Sequence, residues 1–336
     1  MTTARPKGNV NAKLWFFFKI LLAVVLFAYV LSKTDYVQLL ALKERFSWGW
    51  FGVSFITFLL MVATKTYQHY FFIGRKLNYF RTLHIVVVQN LLMNFVATLA
   101  GIASYLTMLG VEKDVRLGKA TETFILVKIG DVVAVAMYLL LSVFFIRPIP
   151  DGAVPIMVFV MIFLLFFGLV LFAAIFFRDK FLVVLTSFIK YLKLKDVSII
   201  KKAIGYLEKI SAYPRKNILR TIIQASLISF AYMGLTMLWG YARFQSFSMH
   251  LDFFVVVFVF SMLQFASWIP IYVFGGLGLS EGMSIYLFSL FSVNGTELAA
   301  VLIAIRVLAY LLNASLILYI PLINHLEKSS ISKGVA

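Results

Sequence analysis

The stretch at residues 268–282, WIPIYVFGGLGLSEG, combines a proline, a glycine cluster and a carboxylate inside a long apolar run. Pro270 removes a backbone donor, and the glycines weaken a helix further; these are Gly275, Gly276 and Gly278. In hydrocarbon, freed backbone groups need protein or a water-filled cavity as their hydrogen-bond partner. The stretch therefore predicts a re-entrant segment that lines a cavity, with Glu281 at membrane depth. The alternative is a helix seam in which glycines permit close packing, but a seam requires neither the proline nor the carboxylate.

Two cations inside other apolar runs point to an anionic ligand: Lys128, one helical turn before Asp131, and Arg306 in the last run. A cation at the centre of a membrane helix costs about 2.5–3.5 kcal/mol, so its presence favours a functional role. We expect Lys128 and Arg306 to share a phosphate-binding site, since both cation types bind phosphate. The carboxylates of Asp131 and Glu281 would balance these cations or contact a cationic headgroup. The alternative is that each carboxylate forms a purely structural ion pair with its neighbouring cation.

Composition places the chain among polytopic membrane proteins. Its residues are 62% hydrophobic and 13% charged, and the mean hydropathy is +0.96. The net charge of +17 is typical of cytoplasmic loops under the positive-inside rule and does not indicate nucleic-acid binding. The chain has no cysteine, which excludes disulfides and thiolate metal sites. Its four histidines are scattered and no nucleotide-binding or hydrolase motif occurs, so we expect no metal and no cofactor.

Six apolar runs are long enough to cross a bilayer, which takes about 20 residues. The runs are Leu14–Ser32, Trp48–Ile73, Lys119–Ile146, Val154–Phe177, Ile218–Phe244 and Glu297–Ile323. Basic residues precede the first run, which we interpret as a retained helix with a cytoplasmic N-terminus and not as a signal peptide. Lys65 and His69 share a helix face near the end of the second run. They are expected to reach the cytoplasmic headgroups, with a substrate contact as the alternative.

A seventh apolar segment, His84–Leu109, has a polar and breakable middle. Asn94 is one of its three central amide side chains, and the break is expected around Gly101. If this segment spanned the membrane, the loop at 178–217, with ten Lys/Arg against three Asp/Glu, would face outward against the positive-inside rule. A hairpin that enters and leaves on the cytoplasmic side removes the conflict, and residues 253–293 then form a second hairpin from the outer side. The tally becomes 22 Lys/Arg inside and five outside, the five being Lys33, Lys43, Arg45, Arg147 and Arg243.

The loop at 178–217 also carries an apolar stripe. The stripe comprises Ile200, Ile204, Leu207 and Ile210, and lysines occupy other faces. This pattern predicts a basic amphipathic helix that lies on the anionic cytoplasmic leaflet. The alternative is a solvated loop helix.

The two predicted hairpins share an order of features: a polar residue, a break with glycine, an apolar return arm, a polar link and a helix with a cation. Lys128 follows Gly101 by 27 residues, and Arg306 follows Gly278 by 28. Because the hairpins enter from opposite faces, the two halves are expected to be inverted repeats, with chance similarity as the competing explanation. The predicted fold class is all-α, a polytopic transmembrane helical bundle with two re-entrant hairpins. It is one membrane domain, 1–336, with repeats at 48–146 and 218–323.

This order of features resembles the transmembrane region of lysylphosphatidylglycerol synthases, over nearly the whole chain. The most specific match is Pro270, Gly275, Gly276, Gly278, Glu281 and Gly282, with Arg306 behind them. The first half departs from the family, since Lys128 stands where arginine is usual and Thr98 where the first break usually has proline. In the two-part synthases this region is the flippase that moves aminoacylated lipid outward, and a separate soluble domain transfers the amino acid. No such domain is recognisable in this sequence, so the resemblance implies lipid translocation without transferase activity.

We therefore expect a flippase of the cell membrane for an anionic or modified lipid, either a phospholipid or one linked to polyprenyl phosphate, with both termini cytoplasmic. The alternatives are a membrane-embedded enzyme or subunit acting on a lipid-linked sugar, and a small-solute or ion-coupled transporter. Expected partners are the lipid substrate, anionic inner-leaflet lipids and a separate lipid-modifying synthase or glycosyltransferase. The expected substrate-binding residues are Lys128, Arg306, Glu281, Asp131, Asn94, Gly101, Pro270, Gly275, Gly276 and Gly278.

Overall fold

A computed structural model of the chain describes residues 24–32, 34–112, 117–147, 149–176, 218–267 and 274–333, with a few isolated positions between them. Throughout these ranges the regular elements are helices, which confirms the all-helical fold class. The helices are α1 (Tyr36–Ala41), α2 (Trp48–Phe72), α3 (Tyr79–Phe95), α4 (Thr98–Gly110), α5 (Leu117–Phe145), α6 (Ala153–Phe176), α7 (Ile218–Ser246), α8 (Phe253–Ser267), α9 (Leu279–Ser289) and α10 (Gly295–Lys333).

Among the residues that the structure describes, four helices are long and apolar enough to cross a membrane: α2, α5, α7 and α10. Each contains an apolar stretch of 18 residues with no more than two charged side chains. Four of the predicted spans are thereby confirmed as helices of spanning length. Of the predicted first span, residues 24–32 and one isolated position are described, and they are helical. The basic amphipathic helix lies almost entirely outside the described residues.

Helices α2 and α7 form an antiparallel pair that packs along most of its length. The Ser47 amide donates to the Ser246 carbonyl over 2.8 Å at one end, and Gln68 Nε2 donates to Ser229 Oγ over 2.6 Å towards the other. Helix α5 packs closely on α7, because a Cβ added at Gly130 would lie 2.6 Å from the Ala225 carbonyl oxygen. Together these three helices form a rigid support for the shorter elements.

The predicted break in the first half is real, but it does not lie at Gly101. Helix α3 ends at Phe95, Ala97 is extended (φ −167°, ψ 153°), and α4 begins at the next residue. Gly101 instead lies within α4, where a Cβ would come 2.7 Å from the Gln89 carbonyl oxygen. It therefore permits the two arms to pack closely, which is the seam role that small residues serve in membrane helices.

The two arms, α3 and α4, fold back on one another. Arg81 near the start of α3 forms an ion pair with Glu112 just after α4, with Nη2 to Oε1 at 2.8 Å. The arms contain 17 and 13 residues, so neither reaches the roughly 20 residues that a full crossing requires. The segment thus begins and ends at the same end of the bundle.

The second break, between α8 and α9, lies where the glycine cluster predicts it. A 3₁₀ turn at Phe274–Gly276 precedes α9, and several residues here have positive φ: Phe274, Gly275, Gly276 and Gly278. Three of the four are glycines, which adopt this conformation without steric cost. Pro270 lies outside the described residues. The Phe258 and Phe291 rings, 5.5 Å apart, join the first arm to the residues just after the second.

The loops of the bundle gather at two ends. At one end, Ser248 Oγ donates to the Arg45 carbonyl, and Arg45 pairs with Glu297 at the start of α10. The same end holds an open cavity of about 540 Å³ between the loop after α5 and the ends of the second hairpin, with Arg147 and Asp252 among its lining residues. The ends of the first hairpin lie where α2 finishes, at the opposite end.

Candidate functional site

The two breaks meet inside the bundle. We call residues 94–98 the first tip and residues 274–279 the second tip. The Phe274 amide donates to the Val96 carbonyl over 3.1 Å, and a Cβ at Gly275 would lie 3.1 Å from Asn94 Oδ1. The approach is therefore so close that only glycine fits at position 275 without displacing its neighbours.

Helix α10 runs past both tips and contacts each of them. The Tyr310 hydroxyl donates to the Phe274 carbonyl over 2.7 Å, and its ring stacks on Phe95 with centroids 5.5 Å apart. Asn94 Nδ2 donates to Asn313 Oδ1 over 3.3 Å. The Phe274 carbonyl, which a continuous helix would pair internally, is thus paired with a side chain of α10.

Arg306 on α10 is the most heavily hydrogen-bonded cation of this region. Its Nε donates to Glu281 Oε1 over 2.5 Å, its Nη1 donates to the Gly275 carbonyl over 2.9 Å, and its Nη2 contacts Ser280 Oγ. The guanidinium fork thereby binds the second tip at Gly275 and the first turn of α9 at Ser280 and Glu281. Asn94, Gly275, Ser280, Glu281 and Arg306 are referred to below as the tip cluster.

The two carboxylate oxygens of Glu281 accept hydrogen bonds from different partners. Oε1 binds Arg306, whereas Oε2 accepts the Gly278 amide over 2.7 Å. Position 281 is the third residue of α9, where a glutamate can return to the helix N-terminus and satisfy an amide that has no helical partner. Burial of this carboxylate is tolerated because both of its oxygens are hydrogen-bonded.

A second cluster surrounds Asp131 on α5, whose side chain is only 2% exposed. Lys65 Nζ lies 3.1 and 3.0 Å from its two oxygens, Ser229 Oγ donates to Oδ1 over 2.9 Å, and Lys128 Nζ lies 3.7 Å from Oδ2. Gln68 donates in turn to Ser229. Lys65, Gln68, Lys128, Asp131 and Ser229 are referred to below as the Asp131 cluster.

The structure contradicts the expectation that Lys65 and His69 reach the headgroups. Lys65 is directed into the bundle, where it binds Asp131 and lies 4.4 Å from the centroid of the Tyr232 ring. His69 is 1% exposed, and its Nδ1 lies 2.8 Å from the Tyr105 hydroxyl of α4. Their four-residue spacing gave a common face correctly, but that face packs on α4, α5 and α7 and not on lipid.

The predicted site residues therefore divide between two places. Asn94, Gly275, Gly276, Gly278, Glu281 and Arg306 belong to the second tip or contact it, whereas Lys128 and Asp131 belong to the other cluster. Among the described residues, no hydrogen bond or ion pair joins Lys128 to Arg306. Gly101 lies in the seam between α3 and α4. The substrate-binding role of these residues stays a prediction.

Sequence reasoning missed two cations of the interior. Lys65 was assigned to the headgroup region, whereas it binds Asp131 inside the bundle. Asp131 lies 66 positions further along the chain, so sequence proximity did not indicate the pair. Arg243, at the end of the predicted span Ile218–Phe244, was counted among the outer charges, but it lies within α7 and is 7% exposed. Its guanidinium carbon lies 3.7 Å from the centroid of the Trp239 ring, one turn earlier on the same helix. The Trp-x-x-x-Arg spacing was the available signal, because residues four apart are neighbours on a helix.

In the described ranges, no group of three His, Asp or Glu side chains is arranged as metal ligands. The family model for the lysylphosphatidylglycerol synthase transmembrane region matches residues 16–316, which include both tips and both clusters. No curated protein and no solved structure matches the chain.

Proposed function

Since the chain belongs to the family of the lysylphosphatidylglycerol synthase transmembrane region, we propose that it is a flippase that moves a lipid with an anionic or modified headgroup across the cell membrane. The observation that carries the proposal is the contact between two broken hairpins beside a buried arginine. Irregular backbone at membrane depth is tolerated where it is enclosed by protein or lines a water-filled cavity. A charged headgroup needs such a polar route, because it cannot cross hydrocarbon unaided.

The depth of the two cations supports this function. Lys128 and Arg306 are each the twelfth residue of their helix, so each lies about 16 Å along it. Helix α5 begins where the first hairpin ends, and α10 begins at the opposite end of the bundle, beside Arg45. Both cations thus lie close to the middle of a hydrocarbon core that is about 30 Å thick.

The proposal includes an inverted-repeat architecture. The first half has a long helix, a broken hairpin and a long helix with a cation, namely α2, α3–α4 and α5. The second half has the same order in α7, α8–α9 and α10, and α7 runs antiparallel to α2. In transporters of this kind, the substrate binds near the midplane at the broken elements. We propose that both hairpins are re-entrant, the first from the cytoplasm and the second from outside.

Lys128 is the cation best placed to receive a headgroup. Asp131 is already bound by Lys65 at 3.0 and 3.1 Å, so the longer 3.7 Å contact to Lys128 is the weaker of the two. The Lys128 side chain is also 36% exposed, against 14% for Lys65. One carboxylate faces two lysines, which leaves one positive charge for an anionic ligand such as a lipid phosphate.

A flipping assay with purified protein in liposomes tests the function. Wild-type protein should expose headgroup-labelled phosphatidylglycerol to a membrane-impermeant quencher faster than protein-free liposomes do. Lys128→Gln should slow flipping at least about tenfold, because one charge-assisted contact is lost. Arg45→Gln is the matched control, since it removes a cation whose partner Glu297 is exposed at the end of the bundle. Wild-type protein that flips no phospholipid and no polyprenyl-phosphate lipid would contradict the proposal.

The same assay separates the flippase from its competitors. A lipid-linked sugar enzyme would change the lipid chemically, which mass spectrometry of the recovered lipid detects. A small-solute transporter would move labelled solute and leave the leaflet distribution of lipid unchanged. We expect an unchanged lipid in the opposite leaflet.

A further inference from the structure

Arg243 is a buried cation that the proposed lipid route does not yet use. It lies on α7, with the Trp239 ring at 3.7 Å on one side and the Phe260 ring of α8 at 5.7 Å. Within the described part of the chain, no carboxylate forms an ion pair with it, and its Nε has no hydrogen-bond acceptor. Aromatic faces attract a guanidinium, but they do not accept its N–H hydrogen bonds in the plane of the fork.

A second donor in the same place also lacks a partner. The indole Nε1 of Trp239 is buried and has no acceptor among the described residues. A buried donor without an acceptor costs about 1–3 kcal/mol, and more when it is charged. Two such donors, one turn apart on one helix, indicate a site shaped for an acceptor, because a purely structural arrangement would favour apolar residues here.

The surroundings of Arg243 indicate the charge of that acceptor. Arg306 and Glu281 are the charged groups within electrostatic range of Arg243, and they form an ion pair with one another, so Glu281 is not free to balance Arg243. The three side chains carry two positive charges and one negative charge, so the group has a net charge of +1. A single monoanionic acceptor would neutralise it. The charge count is the same as in the Asp131 cluster, although there both lysines lie within 4 Å of the carboxylate.

We propose that Arg243 and Trp239 form a binding site for one monoanionic phosphate group. A phosphodiester carries the matching charge and offers two oxygens, one for the guanidinium and one for the indole N–H. The ligand is the phosphodiester of a lipid headgroup or a free phosphate ion, which present the same oxygens. The assignment of the lipid as ligand rests on the proposed function, whereas the existence of the anion site does not.

Thermal unfolding of detergent-purified protein tests the site without any transport step. The probes are dihexanoyl phosphatidylglycerol, inorganic phosphate and dihexanoylglycerol, which shares the acyl chains but has no phosphate. A ligand that binds only the folded state raises the melting temperature with its concentration. We expect a rise with phosphatidylglycerol and none with dihexanoylglycerol. A rise of the same size with inorganic phosphate would identify the free ion as the ligand. If inorganic phosphate causes no rise, the ligand is the lipid.

Variants of the two donors make the test specific. Arg243→Met should raise the melting temperature of the ligand-free protein, because an apolar side chain replaces a buried cation, and should abolish the phosphate-dependent rise. Trp239→Phe keeps an aromatic ring under Arg243 but removes the N–H, and should weaken binding about tenfold. Arg45→Gln, which removes an exposed cation, should bind as the wild type does.

Two results would overturn the site. One is wild-type protein that no phosphate compound stabilises, and the other is Arg243→Met that retains the full wild-type rise. Trp239→Phe keeps the test decisive if Arg243→Met fails to fold, since unchanged binding by Trp239→Phe also contradicts the proposal. Wild-type protein that binds phosphatidylglycerol but flips neither phospholipid nor polyprenyl-phosphate lipid would refute the flippase function and leave the anion site standing.

Discussion

Arg306 and Arg45 have carboxylate partners in very different surroundings. The Arg306 and Glu281 side chains are 14% and 4% exposed, whereas those of Arg45 and Glu297 are 62% and 43% exposed. Each pair has one member on helix α10, Arg306 in the buried pair and Glu297 in the exposed pair. The two pairs have the same chemistry, so their contributions to stability can be compared directly.

Glu281→Gln should destabilise the protein strongly, because it leaves the Arg306 guanidinium buried without a counter-charge. Removal of one partner from a buried pair typically costs about 3–5 kcal/mol. Glu297→Gln should cost no more than about 1 kcal/mol, since exposed pairs are screened by solvent. Thermal unfolding of both variants in the same detergent measures the difference. Equal melting temperatures would show that the Arg306 pair contributes no more than a surface contact.

The partners of individual residues were the least predictable feature of the chain. Intramembrane cations and carboxylates were correctly singled out as important, because each is costly in an apolar run. The pairing of Lys65 with Asp131 was not predictable, since it depends on how α2 packs on α5. Arg243 was missed because it lies three residues before the end of α7, where charge counting cannot distinguish a loop residue from an interior one.

At the scale of elements, the breaks depend on backbone conformation more than on glycine content. Gly275 and Gly276 adopt positive φ at the second break, as their clustering predicted. The first break has no glycine at all and lies at Val96–Ala97, where the chain becomes extended. Gly101 was misread because a seam glycine and a break glycine look alike in sequence. The ranges of α2, α5 and α7, by contrast, followed from their apolar runs to within two residues, whereas α10 continues ten residues beyond its predicted end at Ile323.

Gly101→Ala should destabilise the first hairpin. The new Cβ would come 2.7 Å from the Gln89 carbonyl oxygen and closer still to the Met93 side chain, so α3 and α4 would have to separate. Gly168→Ala on α6 is the control, because a Cβ there meets nothing within 4 Å and alanine favours the helix. Thermal unfolding should show a loss for the first variant and no loss for the second. Equal stability would mean that the arms do not pack as described.

At the scale of the whole molecule, the re-entrant proposal fixes which loops share a side of the membrane. Lys76 before the first hairpin and Val111 after it are both exposed, and Arg81–Glu112 joins the two ends. Ser248 lies at the opposite end of the bundle, where it contacts Arg45. The natural chain has no cysteine, so single cysteines report on their own positions.

Lys76→Cys and Val111→Cys should therefore both resist a membrane-impermeant thiol reagent in intact cells and react after the cells are opened. Ser248→Cys should react in intact cells. The reason is that a hairpin returns to the side from which it entered, whereas a spanning helix would place positions 76 and 111 on opposite sides. Labelling of position 111, but not of position 76, from outside would exclude the hairpin.

The hydrogen bond from Phe274 to Val96 has a consequence for biosynthesis. The ribosome makes the carbonyl of this bond 178 residues before it makes the amide. At a translation rate of about 5–20 residues per second, the second hairpin is synthesised roughly 10–35 s after the first. Throughout this interval its tip needs a temporary partner in the membrane, either water or an insertion factor. We therefore expect a nascent chain stalled before residue 274 to remain bound to the insertion machinery. Its release should require synthesis of the second tip, whose Phe274 amide then binds the Val96 carbonyl.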